Sequence, residues 1–383
     1  MELTKVLRKA EKEEILSKEE ILFLLKQTRD ENVQQIFETA RKLRDTHFGK
    51  QVFAYGFVYF STYCKNNCSF CFYRQSNEKP PRYRKTKEEI VETAVQLKES
   101  GVHLIDLTMG EDPYFIAHED ALVEIVSAVK QATGLPIMIS PGVVSDSMID
   151  RLNEAGADWY ALYQETHNRE LYNKMRLKQD YDVRMHAKEY AKNQGMLIEE
   201  GLLAGIGDTR EDALHSFEEM KRMGASQVRT MTFVPQEGTP MEERGQNSFL
   251  SELLNIAVMR ILFPDKLIPA SLDVDGLAGL KDRLQAGANV ITSIIPPEEG
   301  FLGVANAETD IDQGYRTIQG IQETLTECEL TLASAEKYKQ WIAKEKEENR
   351  LAYGQCGNKK RGVDIESSSD RRKTAGCGSY VPC

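Results

Sequence analysis

The spacing of hydrophobic positions along the chain changes once. Up to about residue 48 the apolar residues recur at helical intervals, and Ser17 with Glu20 three residues later forms a capping box ahead of the run Ile21 to Leu25. Residues 1–50 are therefore expected to be a helical extension packed against the rest. From Gln51 the pattern becomes an alternation. Val52 to Phe60 is an unbroken aromatic and β-branched run, as in a strand covered on both faces. Thr86 and Glu89 make a second capping box, after which Ile90, Val91, Ala94 and Leu97 trace one face of a helix ending near Gly101.

The same alternation predicts strands at 103–109, 136–140, 158–163, 197–204, 227–234, 268–272 and 289–293. Helices are predicted between them at 122–131, 145–155, 182–193, 212–223, 248–262 and 277–285. Eight strand and helix alternations in about 240 residues fit a parallel β/α barrel better than an open doubly wound sheet. The barrel is assigned to 51–297. Helices at 308–327 and 334–349 close it, within a segment 298–350. Residues 351–383, rich in Gly, Ser and charge, are expected to be a loosely attached tail carrying Cys356, Cys377 and Cys383.

Composition narrows the class of partner. With 383 residues, 41% hydrophobic and 28% charged, the chain is an ordinary globular sequence able to bury a large core. A net charge of −11 argues against nucleic acid or an anionic membrane as partner, because both reward clustered Lys and Arg. The first residues lack the apolar run of a signal peptide or membrane span, and seven cysteines, three of them tightly grouped, suit a reducing compartment. A cytoplasmic protein acting on a small molecule is expected.

The chemistry starts just after the first barrel strand, at Ser61-Thr62-Tyr63-Cys64-Lys65-Asn66-Asn67-Cys68-Ser69-Phe70-Cys71. Cys64, Cys68 and Cys71 follow C-x3-C-x2-C spacing. A structural zinc site wants four ligands, usually in two separated pairs. Three close cysteines instead leave one iron of a four-iron, four-sulfur cube without a protein ligand. A zinc hairpin completed by a distant fourth residue, or thiols that are merely buried, are the alternatives.

This spacing, with an aromatic residue before the last cysteine, resembles the radical S-adenosylmethionine (SAM) enzymes. The resemblance implies a (β/α)8 barrel of that superfamily, a [4Fe-4S] cluster on Cys64, Cys68 and Cys71, and SAM on its open iron. Gly110-Glu111-Asp112-Pro113-Tyr114 after the second strand resembles the SAM-binding segment of the branch that contains biotin synthase and a hydrogenase maturase. Glu165, after the fourth strand, and Arg184, in the following helix, match that branch's SAM contacts. The arginine fork suits the SAM carboxylate. Gly201 to Thr209 resembles its adenine-binding strand end. Phe70, Gly110, Glu111, Glu165, Arg184 and Ile206 are the cofactor-binding residues thus implied.

Selection of the substrate is expected from later strands. Arg229 lies within a strand, where its charge must enter the barrel interior with a partner. Ser271 and Asp273 share one strand face by the period of two. With Asp112 they supply a cation and two carboxylates, which suits a diamino acid. Together with Ala270 to Leu277 and Gly287 to Pro297, these residues resemble the methylornithine synthases, radical SAM lysine mutases of pyrrolysine biosynthesis. The resemblance covers roughly residues 1–350. It implies isomerisation of L-lysine to (3R)-3-methyl-D-ornithine through a 5′-deoxyadenosyl radical, with cleavage and re-formation of a bond at Cα. Arg229 and Ser271 would take the carboxylate, and Asp112 and Asp273 the ammonium groups in an order left open. An electron donor such as a flavodoxin or ferredoxin is implied as partner. Another radical SAM activity of the same branch, or a barrel that only binds, are the rival readings.

Overall fold

The computed structural model of the protein describes residues 1–245, 249–296 and 315–360. Three helices come first, α1 (Leu3–Glu11), α2 (Lys18–Leu25) and α3 (Asp30–Phe48). The barrel follows as β1 (Gln51–Ser61), α4 (Lys87–Ser100), β2 (Leu104–Met109), α5 (Pro113–Ala117), α6 (Glu119–Thr133), β3 (Ile137–Ser140), α7 (Asp146–Glu154) and β4 (Trp159–Ala161). It continues with α8 (Arg169–Met175), α9 (Tyr181–Asn193), β5 (Leu197–Ala204), α10 (Arg210–Met223), β6 (Gln227–Thr232), α11 (Phe249–Leu262), β7 (Pro269–Ser271), α12 (Leu280–Gln285) and β8 (Val290–Ile294). The chain ends in α13 (Gln322–Glu327), β9 (Thr331–Leu332) and α14 (Ala335–Lys360).

The barrel strands are all parallel, in the order β6-β5-β4-β3-β2-β1-β8-β7. Among the described residues, β6 and β7 are joined only near their starts. There the Val228 N–H donates to the Leu267 carbonyl at 3.0 Å and the Leu267 N–H to that of Ser226 at 3.2 Å. The result is a nearly closed eight-stranded barrel, the fold class expected. Both anticipated capping boxes form, at Ser17/Glu20 and Thr86/Glu89, and a third occurs at Thr209/Asp212.

Alternation along β1 sorts its side chains between two cores. Val52, Ala54, Val58 and Phe60 join the layer between strands and helices. Phe53, Tyr55, Phe57 and Tyr59 join a second cluster inside the barrel with Leu104, Met138, Trp159 and Val290. Its lower end is plugged by α14: the Tyr338 and Tyr55 hydroxyls are 2.7 Å apart, and Trp341 stacks on Trp159 with centroids 6.0 Å apart.

Several boundaries differ from expectation. The helix predicted at 308–327 does not run through 315–321, which forms turns before α13 starts at Gln322; residues 308–314 lie outside the described residues. The Arg316 carbonyl accepts from the Ile295 N–H at 2.9 Å, so this segment is tied to the end of β8 rather than to its own helical ladder. The helix predicted at 277–285 starts only at Leu280, because Gly276 is left-handed and Asp275 is drawn back to Arg283 at 2.7 Å. The tail expected from 351 is helical up to Lys360 as the continuation of α14, a correction to that boundary. Cys377 and Cys383 lie outside the described residues.

Candidate active site

The loop after β1 is held by its own carbonyl groups. The guanidinium of Arg82 donates to the carbonyls of Tyr73 at 3.0 Å, Arg74 at 2.7 Å and Asn77 at 2.9 Å, and Asn77 Nδ2 donates to that of Phe72 at 3.0 Å. These bonds fix the loop that carries Cys64, Cys68 and Cys71. All three are free thiols, Cys68 buried and the others partly exposed. Among the described residues the three sulfur atoms do not form a group tight enough for one ion, an arrangement compatible with a larger cluster. Burial first, then Cys68 and Cys64 nearby, push the Cys71 thiol well above its usual range. A cationic centre would relieve that crowding.

A cavity of about 210 Å³ runs from this loop into the barrel and is lined by Cys64, Cys68, Cys71, Phe70, Gly110, Glu111, Glu165, Arg184, Arg229 and Asp273. Ten of the thirteen anticipated residues thus meet at one opening. A roomier groove of about 780 Å³ lies outside, among α9 and α10 residues, and none of the thirteen lines it.

Near the mouth, backbone crowding selects glycine. A Cβ on Gly110 would sit 2.9 Å from Cys64 Cβ and run into the Tyr63 carbonyl, while at Gly142, with φ +79°, it would overlap the side chain of Glu111. Glu111 is buried and is contacted by Arg184 Nη1 at 3.2 Å and Lys65 Nζ at 3.3 Å. Burial raises its pKa, but Arg184, Asn66 and Lys65 outweigh that and hold the carboxyl below its ordinary value. Arg184 also donates from Nε to the Tyr163 carbonyl at 2.8 Å. Glu165 takes a left-handed backbone, φ +67°, with Glu165 N–H to Gly201 O at 3.1 Å and Leu203 N–H to Glu165 O at 2.9 Å. A non-glycine residue held there signals a constraint imposed by its surroundings. Its carboxylate accepts from Arg176 Nη2 at 2.8 Å, while burial pushes its pKa up.

Deeper in the barrel, Arg229 on β6 points inward. Its Nε donates to Glu199 Oε1 at 2.8 Å, the Tyr163 ring lies 5.5 Å away, and Nη2 is buried with no partner. An unpaired guanidinium nitrogen lining a cavity is what an incoming carboxylate would find. Asp273, just past β7, accepts from the Tyr59 hydroxyl at 2.8 Å and from Arg316 Nη1 at 3.0 Å. Ser271 stands one step behind: its hydroxyl accepts from the Asp273 N–H at 3.3 Å and lies 3.5 Å from that of Ser293, and it does not line the cavity.

Asp112 is not brought to this cavity. Its carboxylate caps α5 by accepting from the Tyr114 N–H at 2.9 Å, takes both Nε and Nη2 of Arg84 at 2.7 Å, and accepts from the Ser61 hydroxyl at 2.5 Å. Every oxygen is engaged, so no acceptor is left for a substrate ammonium. An aspartate followed by proline is a helix-start signal, which the sequence carried. Ile206 also stands back from the cavity, in an apolar cluster with Leu171, Met175, Leu203 and Phe233 on which Phe70 packs.

The residue missed is Asp106, within β2. It is fully buried and accepts from the Thr108 hydroxyl at 2.8 Å and that of Ser140 at 3.3 Å, and both of these residues line the cavity. Burial, then the nearby Glu199, push its pKa up to about 7, with Arg229 acting in the opposite sense. Like Arg229, Asp106 is a charge inside a barrel strand.

The Radical SAM superfamily profile matches residues 58–220. The chain is 47% identical to the 3-methylornithine synthase of Methanosarcina acetivorans over 310 residues, 81% of this chain and 88% of that one. It is 32% identical to the [FeFe] hydrogenase maturase subunit HydE of Thermotoga maritima over 67% of this chain and 74% of that one. The crystal structure of methylornithine synthase superposes with a TM-score of 0.84 at 44% identity, covering 88% of this chain and 99% of that structure. Such kinship implies a [4Fe-4S] cluster and SAM, and the three thiols at a cavity mouth fit them. The chain belongs to the 3-methylornithine synthase family of the radical SAM superfamily.

Proposed function

We propose that this chain isomerises L-lysine to (3R)-3-methyl-D-ornithine. The observation that carries the reading is the unpaired, buried Nη2 of Arg229 in a cavity that leads to the three cysteines and has Asp273 on its wall. Cys64, Cys68 and Cys71 would hold the cluster, and Glu111, Glu165, Arg184, Phe70 and the backbone of Gly110 would hold SAM. When bound, the pair supplies a carbon-centred radical able to take a hydrogen atom from an unactivated C–H bond.

The chain's own residues do the rest by placement. Arg229 takes the lysine carboxylate, kept in position by Glu199, and Ser271 steadies Asp273 through the backbone N–H. Asp273 and Asp106 are the carboxylates suited to the two ammonium groups, with Asp106 in the place first expected of Asp112. Anchoring both ends keeps the fragments of a broken Cα bond within the barrel, where Phe57, Tyr59 and Tyr163 exclude water. An electron donor of the flavodoxin or ferredoxin type would supply the reducing equivalent, in the cytoplasm.

The test is anaerobic incubation of the reconstituted protein with SAM, reductant and carbon-13-labelled L-lysine, with the product followed by NMR. The expected result is a branched carbon skeleton that accumulates only with lysine present. Lysine that is recovered unchanged, with no 5′-deoxyadenosine released above the lysine-free control, defeats the reading.

A further inference from the structure

The turn between α8 and α9 is folded onto the cysteine loop. The Ser69 N–H donates to the Met175 carbonyl at 2.7 Å and its hydroxyl to that of Lys174 at 3.0 Å, so the end of α8 is fastened beside Cys68. From this turn Gln179 Nε2 reaches Cys68 Sγ at 3.0 Å, and Arg176 Nη1 reaches the same sulfur at 3.6 Å. The other arm of Arg176, Nη2, donates to Glu165 Oε1 at 2.8 Å and to the Tyr163 carbonyl at 3.0 Å. Arg176 is buried, lies 5.4 Å from the Phe70 ring, and touches Gln179 Oε1 at 3.4 Å. Lys178, between the two donors, is left-handed at φ +60°, a conformation that turns the chain back toward the loop.

Donors aimed at a ligating sulfur withdraw electron density from it and stabilise the reduced state of a cluster, and a buried positive charge adds to that effect. We propose that Arg176 and Gln179 are positioning residues that raise the reduction potential of the cluster on Cys68, and that Arg176 links that cluster to Glu165. The inference rests on the reading of Cys64, Cys68 and Cys71 as cluster ligands. A single guanidinium thereby touches one ligand of the cluster and one carboxylate assigned to SAM. Loading of the SAM site would then be felt at the sulfur through one rigid side chain.

The test compares wild type, Arg176→Gln, Arg176→Lys and Gln179→Leu after anaerobic reconstitution. Iron and sulfide content establish that each holds a cluster, and redox titration followed by electron paramagnetic resonance gives the midpoint potential. For Arg176→Gln the equilibrium constant for reduction should fall about tenfold, equivalent to about 59 mV more negative for a one-electron couple. Gln179→Leu should shift the same way by less, and Arg176→Lys should lie between wild type and Arg176→Gln. Equal potentials in wild type and variants with intact clusters overturn the inference. Should Arg176→Gln not fold, Gln179→Leu decides alone, since Gln179 is partly exposed and outside the core. A wild-type protein that assembles no cluster instead brings down the cluster reading itself.

Discussion

Asp106→Asn should make the protein more stable and less able to hold lysine. The wild-type carboxyl is pushed from an ordinary 3.8 up to about 7 by burial and by Glu199. At 1.36 kcal/mol per pH unit, that displacement corresponds to about 4 kcal/mol against the charged form in the folded protein. The sign follows from linkage. Below pH 4 the group is neutral in folded and unfolded chains alike, and its full contribution to stability is present. As pH rises through about 7 the unfolded chain gains by ionising first, and that contribution is lost. Asparagine cannot ionise and still offers an oxygen to Thr108 and Ser140, so the variant should match wild type near pH 4 and exceed it by about 2 to 4 kcal/mol at pH 8. Urea denaturation of the cluster-free protein at the two pH values reads this directly. The same substitution removes a charged partner for an ammonium group, a loss of about 1.5 to 3 kcal/mol, or roughly tenfold to hundredfold in KM for lysine. A variant less stable than wild type at pH 8, or one with an unchanged KM, would refute the reasoning.

Further outcomes follow from neighbouring features. The wild-type KM for lysine should fall as pH rises from 5.5 toward about 7 and then level off as Asp106 ionises, a trend absent from Asp106→Asn; a flat wild-type profile speaks against Asp106 as an ammonium partner. Arg229→Leu leaves Glu199 buried without its partner and should cost about 3 to 5 kcal/mol of stability, whereas Arg229→Lys should keep most stability and lose lysine affinity, as denaturation and steady-state kinetics can separate. Asp112→Ala should cost about 3 kcal/mol by freeing Arg84 and uncapping α5, with little change in KM for the fraction that folds; a large KM effect at unchanged stability would return Asp112 to the substrate site. Serine at Cys64, Cys68 or Cys71 should abolish the iron-sulfur absorption after reconstitution while leaving far-ultraviolet circular dichroism unchanged.

Much of the fold was legible because its signals are local. Capping boxes at Ser17 and Thr86 and the apolar runs of β1 and β5 placed their elements within a residue or two. Of the ten anticipated residues that line the cavity, the cysteine spacing and the strand charges pointed to Cys64, Cys68, Cys71, Arg229 and Asp273, and the resemblance to radical SAM enzymes implied Phe70, Gly110, Glu111, Glu165 and Arg184. What escaped depended on contacts far apart in the chain. Residues 315–321 are composed like a helix, yet they are held to the end of β8 through the Arg316 carbonyl and Ile295. Asp112 and Asp106 are six residues apart and chemically alike. The first is consumed by Arg84, whose approach across the loop no period reveals, and the second is turned inward by the alternation of β2. Ile206 and Ser271 each stand one layer behind the residue that meets the cavity, a depth that strand parity cannot distinguish.

The aromatic plug under the barrel has a kinetic consequence. With Tyr338 and Trp341 filling the lower end against Tyr55 and Trp159, the cavity opens beside the cysteine loop. Arg229 lies within β6 and Glu165 beyond the end of β4, so an amino acid at the first would sit deeper than SAM at the second and the two would not load in arbitrary sequence. On the proposed reading lysine would have to arrive first and SAM last, and departures would reverse that order. SAM added before lysine should therefore slow lysine uptake, and equal uptake rates in either order of mixing would show that a side entrance exists.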